Sequence, residues 1–260
     1  MRAMTATDAQ LARKAIGLLD LTSLNPDDDE ARIRDLCRRA LTPVGPVAAV
    51  CVYPRFVALA RQTLDALGGN QVKVATVTNF PAGAADVEAA AAETRVAVEA
   101  GADEVDVVYP YAALRGGDAT VGVELVRACK RACGDVLLKA ILETGELADP
   151  ALIRQASRDA IDAGADFIKT STGKVTVNAT EQAARLMLEV IAETGGRVGF
   201  KPAGGIRTLA DARLYIDLAE EYLGPSWTTP EHLRLGASSV LDDLLRHLGL
   251  GGEGQAREGY

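Results

Sequence analysis

Three lysines lie inside otherwise apolar, strand-like runs of the sequence. They are Lys139 in VLLKAIL, Lys169 in FIKTST and Lys201 in VGFKPA. Only seven of the 28 Lys and Arg residues are Lys, so the chain generally uses Arg where it needs a cation. Lysine is almost never fully buried without a partner or a chemical purpose, and a neutral lysine amine attacks a carbonyl carbon to form a Schiff base. The pattern suggests amine catalysis on a carbonyl substrate.

Lys169 has the surroundings that this chemistry requires. In a strand its side chain shares a face with Phe167, and its nearest predicted neighbour is Lys201 on the next strand. A second cation and partial burial both lower the pKa of an amine, which leaves a fraction of Lys169 neutral at pH 7. The alternative is a structural lysine paired with a carboxylate such as Asp106. Three lysines against one obvious inward carboxylate argue against that alternative.

Asp106 is the candidate acid–base group. In EVDVVYP it shares a strand face with Glu104 and Val108, so its carboxylate is predicted to face the same space as the lysines. A carboxylate there can shuttle protons, with Lys139 setting its charge state. Holding a lysine charge in place is the structural alternative, and it does not exclude the catalytic role.

The elements that carry these residues recur along the chain. Eight apolar, β-rich segments begin about 31 residues apart, which is the length of a βα unit. They are residues 17–22, 47–53, 72–78, 104–109, 136–142, 167–172, 198–203 and 233–238. Helix-period stretches lie between and after them, at residues 28–41, 55–67, 84–100, 119–133, 150–163, 179–194, 208–223 and 239–248.

This alternation predicts an α/β fold, a single (β/α)₈ TIM barrel over residues 1–260. A short extra helix near residues 7–16 precedes the barrel, and a flexible tail from about residue 249 follows it. A doubly wound open sheet is the competing architecture. Eight even repeats without a Gly-rich dinucleotide-binding fingerprint favour the closed barrel.

Glycine and hydroxyl residues follow the last three predicted strands. Gly173 and Lys174 follow the sixth and Gly204 and Gly205 the seventh, whereas the eighth ends in residues 236–239 (Gly-Ala-Ser-Ser). Loops after strands seven and eight, with a helix N-terminus, are the usual phosphate site of such barrels. Each motif alone serves equally well as a turn or a helix cap, so it is their position that predicts a phosphate site.

Composition narrows the classes of function. The net charge of −8 and the pI near 4.9 argue against nucleic-acid or anionic membrane partners. No apolar run reaches the length of roughly 18 that spans a bilayer, and the N-terminus lacks an apolar signal segment, so we expect a cytoplasmic protein. The two histidines, His232 and His247, do not suffice for zinc sites with several His ligands. The sequence therefore argues against a zinc site of that kind, and we expect no cofactor.

Longer motifs carry a family resemblance. GADEVDVVYPY, LLKAILETGEL, GADFIKTSTGK, VGFKPAGGIRT and RLGASS resemble the 2-deoxyribose-5-phosphate aldolases, class I aldolases on a (β/α)₈ barrel. DLTSLN, CVYPRF and a terminal Tyr also fit, and the match covers essentially the whole chain. The resemblance implies reversible cleavage of 2-deoxy-D-ribose 5-phosphate to D-glyceraldehyde 3-phosphate and acetaldehyde in deoxyribose phosphate catabolism. It also suggests a homodimer.

The resemblance further implies a role for each matched residue. Lys169 forms the Schiff base, and Lys201 perturbs it and assists proton transfer. Asp106 donates and accepts protons with Lys139 in the relay, and Tyr260 aids protonation of the enamine when the tail closes. The implied substrate-binding residues are Asp20, Thr22, Thr172, Gly173, Lys174, Gly204, Gly205, Gly236, Ser238 and Ser239.

Three other functions remain open from the residues alone. Another lysine-dependent barrel, such as a transaldolase or a ketose-phosphate aldolase, would share the Schiff base but take ketone-derived donors. A phosphate-binding isomerase would never form an adduct at Lys169. A sugar-phosphate-binding protein would hold the ligand without turnover.

Overall fold

Eight parallel strands form the centre of the molecule. The structure is a computed structural model that describes residues 6–250, so Tyr260 lies outside the described residues. The strands are β1 (Leu19–Ser23), β2 (Ala49–Val52), β3 (Lys73–Thr78), β4 (Glu104–Val108), β5 (Leu137–Ile141), β6 (Phe167–Lys169), β7 (Gly199–Lys201) and β8 (Leu235–Ala237). They pair in the order β8-β1-β2-β3-β4-β5-β6-β7.

The two edges of this sheet meet and close the barrel. Parallel bridges join Phe200 to Leu233 and Ala203 to Gly236, and the Gly236 N–H donates to the Pro202 carbonyl at 2.9 Å. The predicted (β/α)₈ barrel is therefore confirmed, and the doubly wound open sheet is wrong for this chain.

Helices surround the barrel and cover the outer face of the strands. They are α1 (Ala6–Gly17), α2 (Glu30–Arg39), α3 (Val57–Ala66), α4 (Val87–Glu99), α5 (Tyr111–Arg115), α6 (Thr120–Cys133), α7 (Thr144–Leu147), α8 (Pro150–Asp162), α9 (Glu181–Glu193), α10 (Leu209–Leu223) and α11 (Val240–Arg246). The eight predicted helical stretches and the short N-terminal helix are all present. The sequence did not predict α5, α7, a 3₁₀ turn over Pro54–Phe56, or the hairpin of Leu41–Thr42 with Gly45–Pro46.

Alternation along each strand separates two kinds of interior. On β4, Val105 and Val107 belong to the main apolar core, whereas Glu104 and Asp106 contact charged side chains inside the barrel. The barrel interior is itself divided. Ala49, Cys51, Ala75 and Val77 form a small apolar cluster with Leu24 on the β2–β3 side, and charged groups occupy the other side.

The strands that carry the catalytic candidates are shorter than predicted. β6 ends at Lys169 and β7 ends at Lys201, three and two residues before the predicted ends. Both lysines are thus the last strand residues before loops at the C-terminal face, where barrel active sites form. No helix among residues 6–250 is long and apolar enough to cross a membrane.

Candidate active site

Strand register brings the candidate residues together in two direct pairs. Asp106 on β4 lies opposite Lys139 on β5, and Lys169 on β6 lies opposite Lys201 on β7. All four side chains are buried, with at most 3% of any of these residues exposed. The predicted neighbourhood of Lys169 and Lys201 is present in the fold.

Asp106 is the common partner of all three lysines. Its Oδ1 accepts from Lys139 Nζ at 2.8 Å, and its Oδ2 accepts from both Lys169 Nζ and Lys201 Nζ at 2.8 Å. The carboxylate thus uses one oxygen for a single ammonium and shares the other between two amines. Lys169 has no second carboxylate partner among the ion pairs of the described residues.

Two further carboxylates face the barrel interior beside Asp106. Asp20 Oδ2 lies 2.5 Å from Lys201 Nζ, and Glu104 Oε2 accepts from Lys139 Nζ at 2.7 Å. The expectation of a single inward carboxylate is therefore wrong. The sequence reading missed Asp20 as a partner because its strand segment, GLLDLT, gave no indication of a cation opposite it.

A fourth buried cation completes this group of charges. Arg234, just before β8, donates to Asp20 Oδ1 at 2.8 Å and to both oxygens of Glu104 at 2.7 and 3.0 Å. Three carboxylates therefore face four basic groups inside the barrel. Because a buried net charge is costly, this arrangement favours one neutral base. Lys169 has the fewest carboxylate contacts, so it is the base that loses its proton most easily.

The pKa directions agree with this geometry. Burial lowers the pKa of Lys169, and neighbouring Lys201 lowers it further, although Asp106 opposes both effects. Burial also lowers the pKa values of Lys139 and Lys201, but carboxylates outweigh it. Asp106 and Glu104 hold the pKa of Lys139 above its usual range. Asp106 and Asp20 do the same for Lys201. Lys169 is thus the one member of the three whose ammonium is destabilised.

A cleft opens directly above Lys169 at the C-terminal face. Seven of the ten predicted substrate-binding residues line it together with Lys169 and two alanines. The lining consists of Thr22, Lys169, Thr172, Gly173, Ala203, Gly204, Gly205, Gly236, Ala237 and Ser238. The predicted loops after β6, β7 and β8 therefore converge on one space that contains the amine.

Gly204 and Gly205 shape the β7 side of the cleft. Both have a φ of +83°, a conformation that L side chains rarely adopt. A Cβ on Gly204 would lie 2.7 Å from Asn178 Cβ, whereas one on Gly205 would meet open space. Gly205 is therefore the position at which backbone borders the cleft without side-chain cover, as a bound anion requires.

Three predicted binding residues occupy other places. Asp20 is fully buried and contacts Lys201 and Arg234, so it lies inside the barrel and does not line the cleft. Ser239 borders a larger polar cavity beside α2, which Thr22 and Ser238 also line. Lys174 Nζ donates to the Leu24 carbonyl at 2.6 Å.

Glu143, which follows β5, is a residue of the site that the sequence reading missed. Its backbone is left-handed, with φ 54° and ψ 58°, a conformation that is costly for a non-glycine residue. The carboxylate accepts from the Thr172 hydroxyl at 2.5 Å and the Thr172 N–H at 3.2 Å. The same hydroxyl accepts from the Lys174 N–H at 3.0 Å. Glu143 thus fixes the turn that lines the cleft after β6.

Within residues 6–250 no group of three or more His, Cys, Asp or Glu side chains is arranged to hold a metal ion. The three buried carboxylates contact lysine and arginine nitrogen atoms instead.

Comparison with known proteins agrees with this arrangement. The family model of DeoC/LacD family aldolases matches residues 14–221, which include the three buried lysines and their carboxylate partners but not Arg234. The chain belongs to this family. It is therefore an aldolase, a lyase that makes or breaks a carbon–carbon bond next to a carbonyl group.

Solved structures support the same assignment. The chain shares 30% identity with QR15, an aldolase, over 91% of this chain and 98% of that one, with a TM-score of 0.75. A deoxyribose phosphate aldolase from Aeropyrum pernix, described as tetrameric, is 25% identical over 94% and 98%, with a TM-score of 0.72. A protein from Toxoplasma gondii ME49, 22% identical over 94% and 95%, shares the fold with a TM-score of 0.85.

Proposed function

We propose that this aldolase reversibly cleaves 2-deoxy-D-ribose 5-phosphate into acetaldehyde and D-glyceraldehyde 3-phosphate through a Schiff base on Lys169. The observation that carries the proposal is the position of Lys169. It is the lysine that borders the cleft, and it shares its single carboxylate oxygen with Lys201. In the cleavage direction the reaction degrades deoxyribose phosphate, the catabolic role that the resemblance implies.

Neutral Lys169 begins the reaction by attacking the C1 aldehyde carbon of the open-chain sugar. Loss of water from the carbinolamine gives an iminium ion, in which nitrogen withdraws electrons from C1. The C3 hydroxyl then loses its proton, the C2–C3 electron pair moves toward the iminium, and C3 leaves as the aldehyde of glyceraldehyde 3-phosphate. The remaining two-carbon enamine gains a proton at C2 and is hydrolysed to acetaldehyde, which restores the amine.

The protons of these steps pass through the Asp106 group of charges. Burial opposes ionisation of Asp106, but Lys139, Lys169 and Lys201 hold its pKa well below the usual range. Asp106 in the resting site is therefore an ionised acceptor of the three lysine amines, and Lys201 is the ammonium next to the iminium nitrogen. We assign proton delivery to Lys201, with Asp106 and Lys139 as the path that returns the proton.

The other end of the cleft suits the phosphate of the substrate. Gly173, Gly204, Gly205 and Gly236 border it with exposed backbone, and Ser238 adds a hydroxyl. Backbone N–H groups and hydroxyls stabilise an oxyanion without a buried counter-charge. A phosphate bound there holds the far end of the sugar while C1 reaches Lys169.

Borohydride trapping with acetaldehyde tests the proposal directly. We expect a reduced two-carbon adduct on the peptide that contains Lys169, and no adduct in Lys169→Ala. An adduct on Lys201 would retain the aldolase and reverse the assignment of the two lysines. No adduct at any lysine would overturn the covalent mechanism. Turnover of dihydroxyacetone-derived donors in place of acetaldehyde would indicate a ketose-type aldolase instead.

A further inference from the structure

Arg234 and Glu104 form an ion pair inside the barrel, away from the cleft. Arg234 Nη2 donates to Glu104 Oε1 at 2.7 Å, and its guanidinium lies 5.7 Å from the centre of the Phe167 ring. Phe167 precedes Lys169 by two residues on β6, so its ring lies one layer below the amine on the same strand face. Both charged residues are at least 95% buried, and neither borders the cleft that holds Lys169. They cannot touch a substrate bound in that cleft.

Each of the two residues nevertheless changes the number of charges around Lys169. Arg234 makes the buried bases four against the three carboxylates that form ion pairs with them, which favours one uncharged base. Glu143, the other buried carboxylate near Lys169, is hydrogen-bonded to Thr172 instead. Without Arg234 the count would be three against three, and every lysine would be stable as an ammonium. Without Glu104 the count would be four against two, and the pressure on Lys169 to lose its proton would increase.

The contacts of Arg234 also reduce the number of carboxylate oxygens that are left to the lysines. Arg234 uses Asp20 Oδ1 and both oxygens of Glu104. The oxygens left to the lysines are Asp20 Oδ2, Glu104 Oε2 (shared with Arg234) and the two of Asp106. Lys201 reaches two different carboxylates and Lys139 reaches three. Lys169 reaches one oxygen, which it shares.

We propose that Arg234 and Glu104 are positioning residues that set the protonation of Lys169 by fixing the charge balance of the buried group. The inference rests on the proposed function, because it concerns the amine that the proposal makes the nucleophile. Its mechanism is electrostatic and requires no contact between Arg234 and the substrate. In a water-poor barrel interior, a unit charge acts over several ångströms.

The titratable and charged groups of the barrel interior near Lys169 come from almost every element around it. They are Asp20 on β1, Cys51 on β2, Glu104 and Asp106 on β4, Lys139 on β5, Glu143 after β5, Lys201 on β7 and Arg234 before β8. The inward residues Ala75 and Val77 of β3 carry no charge. A change at Arg234 or Glu104 alters the charge balance of this whole group.

The test measures the pH dependence of acetaldehyde trapping at Lys169, by peptide mass mapping after borohydride reduction. Arg234→Met removes a cation, so the pH at which trapping is half-maximal should rise by about one unit, a tenfold smaller neutral fraction at a fixed acidic pH. Glu104→Gln removes an anion, so the same midpoint should fall. Opposite shifts from the two halves of one ion pair are expected of charge balance and not of a purely structural role.

The double variant Arg234→Met/Glu104→Gln restores the count of three bases against two carboxylates, an excess of one as in the unchanged chain. Its midpoint should return to within about half a unit of the original value. Arg185→Met, which removes a surface partner of Glu181 and Glu221, is the matched control and should leave the midpoint unchanged. Thermal unfolding identifies any variant that does not fold, and Arg234→Gln then replaces Arg234→Met.

The outcomes separate the two proposals. Shifts in the same direction, or no shift in either folded variant, would overturn the role of the ion pair while leaving the Schiff base in place. If neither Arg234 variant folds, the Glu104→Gln variant tests the role of the ion pair alone: a lower midpoint supports it, and a higher or unchanged midpoint overturns it. Absence of an adduct in the unchanged protein would overturn the proposed function itself, before any variant is compared.

Discussion

Lys169 and Lys201 donate to the same carboxylate oxygen, Asp106 Oδ2, each at 2.8 Å. Two amines on one oxygen hold their nitrogen atoms close together, so each disfavours a charge on the other. The second carboxylate of Lys201, Asp20, decides which amine keeps its proton. Lys169 and Lys201 lie opposite each other on neighbouring strands, and the difference between their pKa values comes from Asp20 on β1.

Lys201→Met should raise the pKa of Lys169. The substitution removes the neighbouring cation and leaves Asp106 Oδ2 to Lys169 alone, and both changes stabilise the Lys169 ammonium. We expect trapping of acetaldehyde at pH 7 to fall at least about tenfold and to recover as the pH rises. A stopped assay of adduct formation between pH 6 and 10 measures this.

The exposed Lys73, at the start of β3, provides the control for that experiment. Lys73→Met removes a lysine of the same kind without changing the buried charges, and its profile should match that of the unchanged protein. If Lys201→Met abolishes the adduct equally at every pH, Lys201 acts as more than a charge beside Lys169.

The Thr172 hydroxyl should matter for substrate affinity. Thr172→Val keeps the shape of the side chain but removes both its donation to Glu143 and its acceptance from the Lys174 N–H. Buried groups that lose a hydrogen bond to a charged partner cost about 1.5–3 kcal/mol, so we expect KM for 2-deoxyribose 5-phosphate to rise about tenfold or more. Steady-state kinetics measures KM and kcat separately.

Thr172→Ser is the matched variant, because it retains the hydroxyl. It should restore most of the affinity that Thr172→Val loses. Equal losses in both variants would mean that the methyl group, and not the hydrogen bonds of the turn, holds this side of the cleft.

The sequence predicted the barrel because its signals are local. Each βα unit shows its own apolar run and its own helical period, so eight strands are readable without any knowledge of their partners. The lysines were readable for the same reason, since a cation inside an apolar strand stands out.

Arg234 in LRLGAS has that signal too, and alternation places it on the face of Gly236 and Ser238. Because a guanidinium does not form a Schiff base, the lysine pattern alone did not predict Arg234 as a member of the site.

Other features depend on contacts that no local pattern shows. The pairing of Asp20 with Lys201 joins residues 181 positions apart, and its existence follows from barrel closure. Glu143 adopts a left-handed backbone, which breaks the two-residue alternation by which inward residues are predicted. The hydrogen bonds between Glu143 and Thr172 therefore could not be predicted from the sequence pattern alone.

Lys174 should contribute to binding of the phosphate and not to the chemistry at C1. Its Nζ donates to the Leu24 carbonyl outside the cleft, but Thr172 and Gly173 of its own loop line the cleft, so the amine would exchange the carbonyl for a phosphate oxygen. Lys174→Met should raise KM for 2-deoxyribose 5-phosphate about 10- to 100-fold, the value of one charge-assisted hydrogen bond. Activity toward unphosphorylated 2-deoxyribose should change less than about twofold.

Lys174→Arg retains the cation and should keep most of the preference for the phosphorylated sugar. The ratio of kcat/KM for the two sugars is the quantity to compare. An equal loss on both sugars in Lys174→Met would assign Lys174 to the fold of the loop and not to the phosphate.

The buried carboxylate of Asp20 should make the free energy of unfolding fall in acid, and substitution of Asp20 should reduce this pH dependence. Burial opposes ionisation of Asp20, but Lys201, Arg234 and Lys139 hold its pKa well below the usual range. The unfolded chain has an ordinary Asp pKa of about 3.9, so it binds the proton more readily than the folded protein does. This stabilisation is complete above that pKa and is lost as the pH falls from there toward the folded pKa.

Asp20→Asn should therefore flatten the acid limb of the stability curve. At pH 7 it leaves Lys201 and Arg234 short of a partner, and we expect a loss of about 3–5 kcal/mol in the free energy of unfolding. Below pH 4 the dependence on pH should be shallower than in the unchanged protein, by up to about 1.4 kcal/mol per pH unit. Urea unfolding at pH 3, 4, 5 and 7 measures both quantities. The half-exposed Asp65, paired with Arg61, serves as control through Asp65→Asn. An Asp20→Asn slope as steep as that of the unchanged protein would show that the Asp20 ion pairs are not a source of the acid sensitivity.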